Sequence, residues 1–170
     1  MNYKRFCLAA LFLALSIAIY TLESFIPPIG IPGAKLGLSN IVTLMALLYL
    51  GVRMSACVLI LRILITSLFS GTVISFMFSL LGGIFAFAVM SVMINLLPNK
   101  LIWASSVMGA LFHNFGQLTA AAILIDNISI MYYLPILTVS AIVTGLFTGF
   151  AAQLTDNRLG KIIKTRFHLQ

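Results

Sequence analysis

Of the 170 residues, 62% are hydrophobic and only 8% are charged, and the mean hydropathy is +1.17. A water-soluble surface needs roughly three times that charged fraction, so a soluble globule is excluded, and 18.5 kDa of almost wholly apolar chain leaves no room for a separate soluble domain. The net charge of +7 does not form a nucleic-acid-binding stripe, because Lys and Arg flank apolar runs, as they do where a chain meets anionic lipid headgroups.

The chain opens with Asn2-Tyr3-Lys4-Arg5 and a first span over 6–22. The start resembles a signal peptide, but further spans follow and no small-residue cleavage site does, so a retained helix is expected. Ala10, Ala14 and Ala18 step by four along it, with Cys7 and Thr21 continuing the stripe. Such a small-residue groove lets another helix approach closely, whether inside this bundle or on another protein. Cys7 and Cys57 lie in apolar runs and are expected to be packed thiols without redox work. From Glu23 to Lys35, residues Pro27, Pro28, Gly30, Pro32 and Gly33 bar a helix, which predicts a stiff outer loop.

Two short spans follow, 36–51 and 54–70, placed where the bilayer thins or against the bundle interior. Arg62 lies near the centre of the third span, where a guanidinium costs about 2.5–3.5 kcal/mol on insertion scales and should face inward. Thr66 and Ser70 extend a polar stripe from it toward the outer face. The stripe suits an anion-binding group at the base of an outward cavity, set against an arginine that serves only backbone carbonyls. The fourth span, 72–97, carries Gly82-Gly83 at its middle, a point for close packing or a bend. The fifth, 101–125, places His113, Asn114 and Gln117 near its centre. These side chains suit a flat polar ligand or, alternatively, hydrogen bonds between helices. The sixth, 131–153, holds Gly145 and Gly149 for packing within the bundle. The tail over 154–170 alternates Leu159, Ile162, Ile163 and Phe167 with Arg158, Lys161, Lys164 and Arg166, which predicts a basic amphipathic helix on the membrane surface.

Orientation follows from the cations. With six spans and an inner N-terminus, Lys4, Arg5, Arg53, Lys100, Arg158, Lys161, Lys164 and Arg166 are cytoplasmic, while the outer segments hold Lys35 with Glu23 and Asp126. The expectation is one all-α membrane domain over 1–170, a six-transmembrane-helix bundle in the prokaryotic plasma membrane with both termini cytoplasmic. Catalytic patterns are absent. The three acidic residues are far apart and give no Asp-rich magnesium site, and neither a Walker loop nor a Gly-x-Ser-x-Gly elbow occurs. An enzyme is therefore not expected, nor a cofactor. One intramembrane histidine does not make a metal site.

The stretch IPGAKLGLSN over 31–40, leading into IVTLMALLYLG, resembles the Gx transporter family, also described as heptaprenyl diphosphate synthase component I. The basic start, the Pro/Gly-rich first outer loop and the six spans extend the resemblance over nearly the whole chain. The layout is also similar to the substrate-binding subunits of energy-coupling-factor transporters. That similarity implies that Ala10, Ala14 and Ala18 dock on a transmembrane coupling protein driven by ATPase subunits. It also implies a ligand site under a lid from Glu23 to Lys35, with Lys35, Asn40, Arg62, His113, Asn114 and Gln117 as binding residues. The function expected is capture of a small vitamin-like or precursor molecule for ATP-driven uptake, with Lys35 and Arg62 favouring an anionic ligand. The alternative is a membrane accessory subunit of a prenyl (heptaprenyl) diphosphate synthase making quinone side chains. An ion-coupled carrier working alone fits less well, for want of intramembrane carboxylates.

Overall fold

Helices account for nearly every residue described in the computed structural model, which covers residues 3–26, 36–97 and 101–167. In chain order they are α1 (Tyr3–Glu23), α2 (Asn40–Leu50), α3 (Val52–Ser70), α4 (Val73–Leu96), α5 (Ile102–Ile125) and α6 (Leu134–Phe167), with a 3-10 helix over Ile128–Tyr133 before α6. Five of them (α1, α3, α4, α5 and α6) are long and apolar enough to cross a membrane. The chain is an all-helical, multi-pass membrane protein.

The second helix corrects the expected 36–51 span. It has 11 residues, roughly 16 Å of rise against a hydrocarbon layer of about 30 Å. Gly37, at φ +79°, stops the helix from starting earlier, and a turn through Leu38 and Ser39 leads into Asn40. Nine of its residues are buried, from Asn40 to Leu50. A helix that is apolar all round belongs inside a bundle, and one screened from lipid need not match the bilayer's thickness.

Ends are set locally. Gly71 closes α3 in the left-handed conformation with its N–H on the Ser67 carbonyl, and the Thr72 hydroxyl accepts from the Ser75 N–H to open α4. Asp126 (φ 51°) closes α5. α5 is the hub, packed most extensively on α4 and α6. Close approach needs glycine: a Cβ at Gly145 would lie 2.7 Å from Val107 Cα, and one at Gly149 2.7 Å from Trp103 Cα. The glycines of α6 thus serve packing within the bundle.

α6 also departs from expectation, because it continues unbroken past 153 to Phe167. No proline intervenes, Gly160 stays helical with the Tyr49 hydroxyl close by, and that hydroxyl donates to Asp156 Oδ1 at 2.7 Å, holding the extension to α2. Ile163 and Phe167 pack against the inner core, while Leu159 and Ile162 remain exposed. The tail is the end of α6 rather than a separate surface helix.

Two apolar clusters result. The larger, toward the chain ends, includes Leu8, Phe12, Leu44, Tyr49, Val58, Met90 and Ala152. The smaller, toward the opposite end, is built on Phe78, Leu118, Ala120, Ala121 and Leu137. Along α4 and α5, the polar residues lie between them.

Candidate functional site

Polar side chains from several helices meet at one place. α1 contributes Tyr20 and Glu23, the turn before α2 Gly37 and Ser39, α3 Arg62, α4 Phe78 and Ser79, and α5 His113 and Gln117. All of them line one small cavity. The space has room for little more than one water molecule. A ligand larger than water must therefore displace side chains to enter.

Arg62 is 3% exposed and its guanidinium donates to Ser39 Oγ at 2.7 Å. Glu23, 2% exposed, accepts a hydrogen bond from the Gly37 N–H through Oε1, and its charge acts on the Arg62 guanidinium. The buried cation therefore has a counter-charge within the protein. Its burial does not by itself demand an anionic ligand. Glu23 is also the buried carboxylate whose absence weighed against ion coupling.

His113 is wedged between two glycines. A Cβ at Gly82 would lie 2.9 Å from its Cε1, and one at Gly37 2.9 Å from its Cδ2. The same Gly37 position lies 3.0 Å from Asn40 Nδ2, so the Asn40 amide sits beside the imidazole. Asn40 is 5% exposed, and neither its amide nitrogen nor its amide oxygen makes a hydrogen bond among the described residues. A buried amide left in this way carries a desolvation cost of about 1–3 kcal/mol. A polar ligand would relieve it.

Asn114 does not join this cavity. Its Nδ2 donates to the Leu137 carbonyl at 2.8 Å and reaches Ser140 Oγ at 3.4 Å, which ties α5 to α6. One residue turns a helix by 100°, so His113 and Gln117 face the cavity while Asn114 faces α6. Lys35 and the greater part of the expected lid, 27–35, lie outside the described residues. Glu23 is the last residue of α1 rather than part of a loop.

The expected polar stripe is present and open to one side. Thr66 and Ser70 line a second cleft, of about 200 Å³, with Tyr20, Thr21, Ser24 and Phe69. Tyr20 borders both spaces, and its hydroxyl is shared with Ser75 Oγ at 3.1 Å and Ser79 Oγ at 3.3 Å. The ring is the partition between cleft and cavity. Among the described residues no group of three His, Cys, Asp or Glu side chains could hold a metal ion.

Outside the cavity, Ala10, Ala14 and Ala18 are all exposed, as are Cys7 and Thr21. The stripe faces away from the bundle, so it is not used for packing inside this chain.

Sequence reasoning missed Tyr20, Glu23, Gly37, Ser39, Phe78 and Ser79. The available signal was charge balance: one buried cation and one acid at the end of an apolar helix.

Comparison with curated proteins and with solved structures gave no match. The family model described as heptaprenyl diphosphate synthase component I matches residues 12–155, a stretch that holds the whole cavity, the second cleft and most of the packed helices. The chain belongs to the heptaprenyl diphosphate synthase component I family.

Proposed function

We propose that this chain is the membrane-embedded, non-catalytic component of a prenyl diphosphate synthase assembly, and that it holds a small polar ligand at the Arg62 layer. Family membership supports the synthase partner. The observation that carries the binding role is the meeting of Glu23, Ser39, Arg62, His113 and Gln117 at one cavity, beside the Asn40 amide that makes no hydrogen bond among the described residues. Catalysis belongs to the partner. Glu23 ends α1, Asp126 caps α5 and Asp156 bonds Tyr49, so the acids are spread through the molecule rather than gathered for magnesium-diphosphate chemistry.

The proposed topology has six crossings, with α2 a half-length one, and both termini cytoplasmic. The shared groove between the first turns of α1 and the last turn of α6 supports an even number of crossings. Lys and Arg at that end support its orientation. Reporter fusions after Leu22 and Ile125 should read external and one after Leu97 internal. Contrary readings at two of the three reject the topology.

A second reading is a substrate-binding subunit of an ATP-driven uptake transporter of energy-coupling-factor type. The outward-facing Ala10, Ala14 and Ala18 stripe favours it, because it is free to meet a transmembrane coupling protein. Co-purification from native membranes separates the two. A soluble prenyl synthase subunit recovered with the chain supports the first reading, and a coupling protein with its ATPases rejects it for the second. Mass spectrometry of molecules released from the purified protein identifies the ligand, and an empty protein that binds no polar metabolite rejects the binding role.

A further inference from the structure

The two ends of the chain build a groove remote from the Arg62 layer. Tyr3, Lys4 and Cys7, on the first turns of α1, face Arg166 and Phe167, on the last turn of α6, across a space of about 460 Å³. A second groove, of about 360 Å³, starts from the same Arg166 and runs along Lys161, Ile162 and Thr165. No acidic side chain lines either groove among the described residues. Lys4, Lys161 and Arg166 therefore face the grooves without a carboxylate to answer them there.

Apolar surface lies directly beside these cations. Tyr3 is 71% and Ile162 62% exposed, and Phe167 packs from the groove onto the inner core. A soluble anion would use the cations and leave the apolar wall wet. A hydrocarbon chain alone would leave the cations unanswered. A ligand with an anionic head on a hydrocarbon tail satisfies both, and these helix ends lie where lipid headgroups meet the protein.

We propose that the groove between the ends of α1 and α6 seats the phosphate head of an anionic membrane lipid. Lys4 and Arg166 take the phosphate oxygens, and Tyr3, Cys7 and Phe167 lie along the first carbons of the tail. Arginine suits this place because its planar fork binds phosphate through two parallel N–H groups. The bound lipid bridges the first helix to the last, which otherwise touch little. The proposal stands apart from the Arg62 layer and from the identity of any protein partner.

The test is native mass spectrometry of the full chain in neutral detergent, titrated with phosphatidylglycerol and phosphatidylcholine of matched tails. Preferential binding of phosphatidylglycerol is expected. Lys4→Gln and Arg166→Gln should each weaken it about fivefold, the share of one interfacial cation. Lys4→Arg should preserve it, which guards against misfolding as the cause. Arg53→Gln, at the same end of the bundle but outside the groove, should leave it unchanged. Equal binding of the two lipids overturns the proposal. So does an Arg53→Gln loss as large as that of Arg166→Gln, which would mark a diffuse basic surface. Farnesyl diphosphate is the remaining arm: if it displaces phosphatidylglycerol at lower concentration than the lipid needs to bind, the occupant is an isoprenoid diphosphate and the membrane-lipid assignment fails.

Discussion

Glu23→Gln isolates the electrostatics of the polar layer. Gln keeps a side-chain oxygen to accept from the Gly37 N–H, so the turn into α2 survives and only the charge is lost. Arg62, 3% exposed, then keeps its bond to Ser39 but loses the carboxylate that answers its charge. Stripping a buried charge of a partner in direct contact costs about 3–5 kcal/mol; Glu23 acts on Arg62 through its field, so the loss lies below that range. The cavity admits about one water, which can partly solvate the guanidinium, so about 1–2 kcal/mol, within the range for coupled neighbours, is expected. Arg62→Gln removes the other charge of the layer together with its bond to Ser39 Oγ and should also destabilise. The double variant buries neither charge and should lose at least about 1 kcal/mol less than the two single losses combined. Equilibrium unfolding in mixed micelles, run as a double-mutant cycle, reads this coupling. Additivity to within about 0.5 kcal/mol would refute it. Arg62 would then be a separate charge, open to an anionic ligand.

Gly82→Ala places a Cβ 2.9 Å from His113 Cε1 and 3.1 Å from Gln117 Cγ. It should cost about 1–3 kcal/mol by overpacking, and an unchanged melting temperature would mean the imidazole moves aside freely. Tyr20→Phe removes the hydroxyl shared with Ser75 and Ser79 at a cost of about 0.5–1.5 kcal/mol. It should also speed thiol labelling of a Ser79→Cys background through the second cleft, and an unaltered labelling rate would show that Tyr20 is not the barrier. Ala14→Leu adds bulk on an exposed face, so stability should hold within about 0.5 kcal/mol while recovery of a membrane partner falls. Undiminished recovery would assign the stripe to lipid.

Hydropathy located α1, α3, α4 and α5 to within a few residues, because each is a lipid-facing run bounded by charge, glycine or proline. It failed at both ends that tertiary contacts decide. Where α2 begins depends on Gly37 at φ +79° with His113 packed behind it, and an apolar run carries no mark of that. That α6 continues past 153 draws on Tyr49, 107 residues from Asp156, which accepts a hydrogen bond from its hydroxyl. Arg62, His113 and Gln117 were legible as buried polar groups from their place in apolar spans, and they do converge. Periodicity could not separate Asn114 from them, since one turn of helix carries 113, 114 and 117, and only the neighbours at Leu137 and Ser140 show which way Asn114 faces. Glu23 stands at a span border, where acids are common, and that place reveals neither of its long-range interactions, the bond to Gly37 and the field at Arg62. Both alter what the cavity asks of a ligand. A lone guanidinium would demand an anion, whereas a layer holding both charges offers hydrogen bonds first. The Asn40 amide, which makes none among the described residues, is then a demand that a polar ligand would meet.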